Sequence, residues 1–256
     1  MAPKPSLLII GGGIVAVTIA REAAISQRFS VITIAEKESR FGIHSSTRNS
    51  GVIHAGFYYD PDSDKARFCA EGNELMRAYC LENKLPLLKC GKVVVSSSED
   101  EDNVLHELLN RGNLNGCKLY LHNKNRLGEY EPLATTFRSF LWSPNTWSAS
   151  PGDVMKNLLD ELKELSVNLL LDSKFVGSDN HAARFQNGET IAYDFIINAA
   201  GGYALDVSKK LGYTSSYSLL PFKGLYLKSK LPASSLRLIY IRFQILNSRS
   251  WVFIQR

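Results

Sequence analysis

Ser6-Leu7-Leu8-Ile9-Ile10-Gly11-Gly12-Gly13-Ile14-Val15-Ala16-Val17-Thr18-Ile19-Ala20-Arg21-Glu22, followed by Val31-Ile32-Thr33-Ile34-Ala35-Glu36, is the stretch that decides the fold. An apolar run turns on glycines, continues with helical patterning, and returns as a second apolar run closed by an acid. That is strand, turn, helix, strand. Gly11-x-Gly13-x-x-Ala16 fits the dinucleotide fingerprint, whose third position accepts Ala. Gly11, without a Cβ, can leave the strand in a tight turn. Gly13 lets backbone approach a pyrophosphate, and Ala16 lets the helix pack close on the strand. The helix N-terminus offers N–H groups and a positive dipole end to phosphates. Glu36 stands 25 positions after Gly11, near the expected spacing of about 20, where an acid accepts hydrogen bonds from ribose hydroxyls. An acid there, even with Lys37 next, argues against a 2′-phosphate. Strand before and helix after make the motif specific. Lys4 and the uncharged run Pro5–Ala20 resemble a signal segment, but adjacent glycines suit no signal helix.

At 256 residues, 45% hydrophobic and 21% charged, the chain has the composition of a soluble protein with a core of one large or two smaller domains. No segment reaches the ~18 consecutive apolar residues of a membrane helix. Cys69, Cys80, Cys90 and Cys117 have no metal-binding spacing and read as reduced thiols; no metal site is expected. The formal charge of +5 is uneven: nine Lys and Arg and no acid follow Val207, which leaves −4 for the first 206 residues. A basic segment suits an acidic partner or a surface, but no nucleic-acid motif accompanies it, so nucleic acid is not an expected partner. No targeting segment is recognised in Met1–Ser6, and the expected location is cytoplasmic or mitochondrial.

Residues 40–59, rich in Ser, Gly, His and Asn, read as a loop with one short extended piece. Beyond it the spacing predicts a helix over 64–83, a single strand over 87–98, a helix over 99–111 started by Ser97 or Ser98, and a turn over 112–116. A short helix over 126–131, a strand over 137–142 and a loop holding Trp142, Pro144 and Trp147 follow. Then come a helix from Pro151 to about Leu165, a strand over 168–172 and a hairpin about Asn187-Gly188. A buried strand over 194–198 ends in a small-residue turn at Ala199–Gly202, with a helix over 204–211 and a strand over 219–227 after it. The fold class is α/β, a Rossmann-like nucleotide domain interleaved with an α+β domain. The expected boundaries are 1–85 and 148–215 for the first, 86–147 and 216–240 for the second, with 241–256 as a tail.

The chain resembles the FAD-dependent oxidoreductases of the D-amino-acid-oxidase type, most closely the L-2-hydroxyglutarate dehydrogenase/oxidase group. The resemblance rests on Asn49-Ser50-Gly51-Val52-Ile53-His54-Ala55-Gly56-Phe57-Tyr58-Tyr59, joined by Lys65–Cys69, Cys90-Gly91-Lys92, Asn198–Gly201 and Pro221-Phe222-Lys223-Gly224. It runs from about Leu7 to about Tyr240. Residues 241–256 do not fit the group's pattern, and the group shows Arg where this chain has Lys223, which lacks the bidentate fork. On this reading the substrate domain is truncated, and the 256-residue chain is expected to be inactive by itself.

The resemblance implies FAD as cofactor, a glutathione-reductase-like cofactor domain, and oxidation of L-2-hydroxyglutarate to 2-oxoglutarate; the electron acceptor is left open between oxygen and a quinone. Gly11, Gly13, Ala16 and Glu36 would hold the adenosine half. Asn49, Ser50 and Gly51 would run beside the isoalloxazine, and Ala200 and Gly201 would touch the cofactor. His54 is the candidate base; it also suits covalent attachment of the flavin, as in related amine dehydrogenases, or ordering of its loop. Arg48, Tyr58 and Lys223 are candidates for the substrate carboxylates. Oxidation of an amino acid, a secondary amine or glycerol 3-phosphate, or a flavin-binding fragment without catalysis, are the alternatives.

Overall fold

The computed structural model describes residues 3–213, 216–220, 239–242 and 251–253. In chain order the elements begin with β1 (Ser6–Ile10), α1 (Ile14–Ile25), β2 (Val31–Ala35), β3 (Val52–Ile53), α2 (Asp64–Glu82), β4 (Leu87–Leu88), β5 (Lys92–Val95) and α3 (Glu99–Leu114). Next are β6 (Tyr120–Asn123), α4 (Leu127–Tyr130), β7 (Ser139–Ser143), β8 (Trp147–Ala149), α5 (Pro151–Glu164), β9 (Asn168–Leu170) and β10 (Phe175–Asp179). The last are β11 (Ala182–Phe185), β12 (Thr190–Ala192), β13 (Phe195–Asn198), α6 (Ala204–Lys210), β14 (Ile239–Arg242) and β15 (Trp251–Phe253). They form two compact units, residues 1–49 with 151–225 and residues 50–150 with 226–256.

The first unit is built on a parallel sheet of order β13-β1-β2-β9. Side chains alternate across a strand, so this sheet buries two faces. Leu8 and Ile10 pack with Ala35, Phe175, Ala183, Phe185 and Val207, from the antiparallel meander β10-β11-β12 and α6. Leu7, Ile9 and Ile34 are buried as well, and α1 packs on β1 and β2 through Ala16, Val17 and Ala20. Helix α5 lies beside α1 with Val154, Met155, Leu158 and Leu162 buried. Arg21 Nε donates to Glu161 Oε2 at 2.6 Å to tie the two helices.

The second unit carries a five-stranded sheet of order β15-β14-β5-β7-β6 and a small sheet β3-β8-β4. One face of the larger sheet puts Val94 and Leu141 against Ala55, Phe57, Leu105 and Leu108. The other gathers Val93, Val95 and Phe140 with Leu127. Ser98 caps α3 by accepting from Glu101 N at 3.2 Å, while Glu101 Oε2 accepts from Ser97 N at 2.7 Å. Four acids in the first turn of α3 complement its dipole.

Several expectations are corrected. The single strand over 87–98 is two strands in different sheets, because Gly91 adopts φ +70° and turns the chain between them. Its hydrogen there is required: a Cβ would stand 2.0 Å from the Trp142 ring. Residues 112–114, expected in a turn, continue α3, and the reversal falls at Gly116 with φ +69°. Trp147, expected in a loop, lies in β8 and pairs with Ile53, while Trp142, at the end of the expected strand, lies inside β7 and pairs with Val93. Residues 120–123 and 175–179 also form strands, the first paired with β7 and the second with the adjacent β11. Residues 50–85, expected with the nucleotide domain, group with the second unit, since β3 pairs with β8 and α2 packs on β3 and β4. Leu219 and Leu220 are exposed and not in a strand; residues 221–227, including Lys223, lie outside the described residues.

Candidate functional site

Gly11 leaves β1 with φ +108°, a conformation L side chains rarely adopt, and a Cβ there would stand 2.5 Å from the Ala199 carbonyl oxygen. The glycine therefore brings the ends of β1 and β13 together. Gly11 N donates to Ala35 O and Ala199 N to Ile10 O, both at 2.9 Å, which joins the carboxyl ends of three parallel strands. Gly12 leaves no room either: a Cβ would stand 2.4 Å from the Phe41 ring. Gly13 is the N-cap of α1 and has no side chain to cap it, and the first turn holds no acid. Ile14 N donates instead to Ser46 Oγ at 2.9 Å, from the loop after β2. That loop is folded on itself: Thr47 Oγ1 donates to Gly42 O at 2.7 Å, and Asn49 Nδ2 to the carbonyls of Ser45 and Ser46 at 3.0 Å.

Glu36 is buried, and its carboxylate is engaged with the turn. Oε2 accepts from Gly12 N at 2.6 Å and Oε1 from Glu38 N at 2.9 Å. An ionised carboxylate has about four lone-pair sites, so capacity is left for a further donor. On the far side, Ala200 and Gly201 end β13; Gly201 has φ +56°, and a Cβ there would meet nothing within 4 Å. Lys37 Nζ lies 4.3 Å from the centre of the Tyr203 ring.

These residues border one cavity of about 260 Å³, lined by Gly11–Gly13, Glu36, Lys37, Ser46, Ser173–Phe175 and Ala199–Tyr203. It lies beyond the carboxyl ends of β1, β2 and β13, where open parallel sheets bind ligands. A helix start free of acid, bare glycine backbone and an acid with spare acceptor sites fit the adenosine diphosphate half of a dinucleotide. Gly11, Gly13, Glu36, Ala200 and Gly201 are thus brought together, whereas Ala16 is fully buried and packs the helix. Asn49 belongs to this unit but is not among the cavity-lining residues, and Ser50 and Gly51 belong to the other unit. Ser46, Ser173 and Tyr203 carry no motif of their own, and Lys37 enters the fingerprint only as the neighbour of Glu36. The Ser-rich loop was the one signal for Ser46.

In the second unit His54 and Tyr58 follow β3 on the segment from Ser50 to Tyr59. Asn73 on α2 anchors it: Nδ2 lies 3.2 Å from Ile53 O, 3.0 Å from His54 O and 3.0 Å from Asn145 O. Cys69 Sγ and Cys117 Sγ donate to the carbonyls of His54 and Ala55 at 3.5 and 2.9 Å. Burial, and after it the Lys92 charge, push the His54 imidazole down to about 4, so it is neutral at pH 7. Burial pushes the Tyr58 phenol up. Arg48 is exposed and lies in the first unit. Among the described residues no group of three or more His, Cys, Asp and Glu side chains is placed to hold a metal, and no helix is long and apolar enough to cross a membrane.

Comparison with known proteins follows the same lines. Residues 6–256 match the family model described as FAD dependent oxidoreductase. The match includes 241–256, which were expected to fall outside the family's pattern. The chain is 33% identical over 238 residues to the mitochondrial L-2-hydroxyglutarate dehydrogenase of Caenorhabditis elegans, covering 89% of this chain and 54% of that protein. It is 30% identical over 225 residues to the L-2-hydroxyglutarate dehydrogenase of Escherichia coli K12, with 86% and 53% covered. It therefore spans about half the length of the curated relatives it matches. Among solved structures, L-proline dehydrogenase from P. horikoshii superposes with a TM-score of 0.78 at 21% identity, over 95% of this chain and 65% of that one. The FAD-bound L-α-glycerophosphate oxidase of Mycoplasma pneumoniae does so with a TM-score of 0.71 at 23% identity, over 81% and 57%. FAD is the cofactor these likenesses support. With its glycine turn, buried strand-end acid and second small-residue turn on one cavity, the chain belongs to the FAD-dependent oxidoreductase family.

Proposed function

We propose that the chain serves the FAD-dependent oxidation of a 2-hydroxy acid, L-2-hydroxyglutarate to 2-oxoglutarate. The observation that carries this reading is the likeness to L-2-hydroxyglutarate dehydrogenases over nearly nine-tenths of the chain. Gly11–Gly13 and the start of α1 would hold the pyrophosphate, with Glu36 on the ribose and Ala200-Gly201 against the cofactor. Bound FAD supplies the two-electron acceptor, a chemistry no side chain here provides. The chain's own tasks are to seat the acid, take the hydroxyl proton and keep water out.

His54 is the proposed base. Its imidazole is neutral at pH 7 and so has a free lone pair to accept the proton. A value near 4 makes it a weak base until nearby negative charge raises it; a bound carboxylate beside Lys92 would do so. Asn73 would act as a positioning residue by holding the His54 backbone. Asn49, Ser50 and Gly51 are proposed for the cofactor and Arg48, Tyr58 and Lys223 for the substrate. The proposed electron acceptor is oxygen or a quinone, and the proposed location cytoplasmic or mitochondrial, in keeping with the mitochondrial relatives. The test is anaerobic bleaching of the flavin by a panel of L-2-hydroxyglutarate, amino acids, secondary amines and glycerol 3-phosphate. Bleaching by the hydroxy acid supports the reading; bleaching by an amine or glycerol 3-phosphate alone refutes it.

A further inference from the structure

The second unit contains polar atoms whose burial its own fold does not explain. Lys92, the first residue of β5, is fully buried, and its Nζ has no hydrogen-bond partner. The Tyr58 hydroxyl is likewise buried without a partner, and so is the Asn115 Oδ1. Lys92 shares with Val94 the sheet face that Phe57 covers, by strand alternation. Nζ lies 4.4 Å from the centre of the Tyr58 ring and 4.7 Å from that of Phe57.

Two aromatic faces stabilise a desolvated ammonium, but they accept none of its three N–H donors. A buried charge without acceptors is strongly unfavourable. Leu or Met at this position, in a Val-rich buried strand, would serve the core better. A lysine retained there marks a site completed by something else. The missing piece must accept hydrogen bonds, because the orphans include the ammonium and the phenol. It must also be anionic, because the charge is positive. It must be small, because Lys92 has no exposure while His54 and Tyr58 keep only part of theirs.

We infer that Lys92 and the Tyr58 hydroxyl form a binding site for a small carboxylate, the ammonium pairing with the anion and the phenol donating to it. Identification of that carboxylate with one of the substrate's own rests on the function proposed above; the site itself does not. The titration behaviour agrees with an incomplete ion pair. Burial pushes the Lys92 ammonium down to about 7, with only the Cys69 thiol favouring the charged form. The Lys92 charge in turn lowers His54, so an anion on Lys92 would restore basicity to the imidazole. Substrate binding would then switch on the base.

The test is NMR titration of lysine-labelled protein with glutarate, which has both carboxylates and no hydroxyl to oxidise. The Lys92 Cε resonance should titrate near pH 7 in the free protein and move up by one unit or more, a tenfold change, with saturating glutarate; the neutral glutaramide should leave it unmoved. Lys92→Met should weaken glutarate binding at least tenfold while melting at the same temperature or higher, since it removes an unpaired charge. Tyr58→Phe should weaken glutarate binding with Lys92 intact. A Lys92 resonance indifferent to glutarate, or Lys92→Met protein that binds glutarate as wild type does, overturns the inference. Flavin bleaching in the same samples separates the two readings. Glutarate bound at Lys92 without bleaching by L-2-hydroxyglutarate upholds this site and counts against the proposed function; bleaching with Lys92 indifferent to glutarate does the reverse.

Discussion

The Glu36 carboxylate accepts the Gly12 backbone N–H at 2.6 Å, so the acid at the end of the second strand holds the glycine turn after the first. One side chain therefore links the two features on which the dinucleotide reading rests. It shapes the turn before any ligand arrives and leaves acceptor sites for a ribose. Truncation, Glu36→Ala, removes two charge-assisted bonds, to Gly12 and Glu38. Expected losses are about 2–4 kcal/mol of stability for Ala and about 1–2 kcal/mol for Gln. Urea unfolding of cofactor-free protein measures this; a change under about 0.5 kcal/mol for Ala would mean that Glu36 does not support the turn.

Gly91→Ala tests the break between β4 and β5. The φ of +70° is strained for Ala, and the new Cβ would meet the Trp142 ring at 2.0 Å. Strain and overpacking together should destabilise by about 2–4 kcal/mol. A melting temperature equal to wild type would show that the turn at Gly91 is misassigned.

Asn73 brings α2 to the loop of His54. Its amide spans the carbonyls of Ile53, His54 and Asn145, and the residue is buried. Asn73→Asp would set a carboxylate against these carbonyls and should cost about 3 kcal/mol or more, while Asn73→Ala should cost about 1–3 kcal/mol. Chemical denaturation ranks the two; Asp tolerated better than Ala would contradict the assigned geometry.

Stability should depend on pH through His54. The folded-state value is about 4 against an ordinary 6.5. Between those values the unfolded chain binds the extra proton and the folded chain does not. Stability is therefore highest above about pH 6.5, falls as the pH drops toward 4, and levels below that; the imidazole accounts for about 3 kcal/mol of the fall. Lys92 acts in the alkaline window: with about 7 folded against 10.5 unfolded, stability should rise from pH 7 toward 10.5. Unfolding curves of wild type and His54→Gln across pH 4–7 isolate the first effect. Parallel curves would show that His54 is not buried as described.

Much of the first unit was legible because its signals are local. Gly11, the apolar runs and Glu36 sit within one strand-turn-helix-strand unit, and a turn that needs φ > 0 declares itself by its glycine. The Asn187-Gly188 hairpin was readable for the same reason. What escaped notice depends on partners far along the chain. Ser46 meets α1 across 32 residues and Asn73 meets Asn145 across 72. The strand over 120–123 carries little apolar alternation and exists because Ser139–Ser143 pairs with it. Lys92 reads as the polar start of a Val run, and only Phe57 and Tyr58, folded over it, reveal that it is buried. Gly91 misled because an apolar run on both sides has strand periodicity whichever way the glycine turns.

The central claim is that the Gly11–Glu36 cavity holds FAD. Mass spectrometry of the ligand released from purified, folded protein, with Gly11→Ala alongside, measures this directly. The account predicts FAD from the wild-type chain and little or none from the variant, whose Cβ would collide with the Ala199 carbonyl. Recovery of NAD and no flavin from well-folded wild-type protein would contradict it.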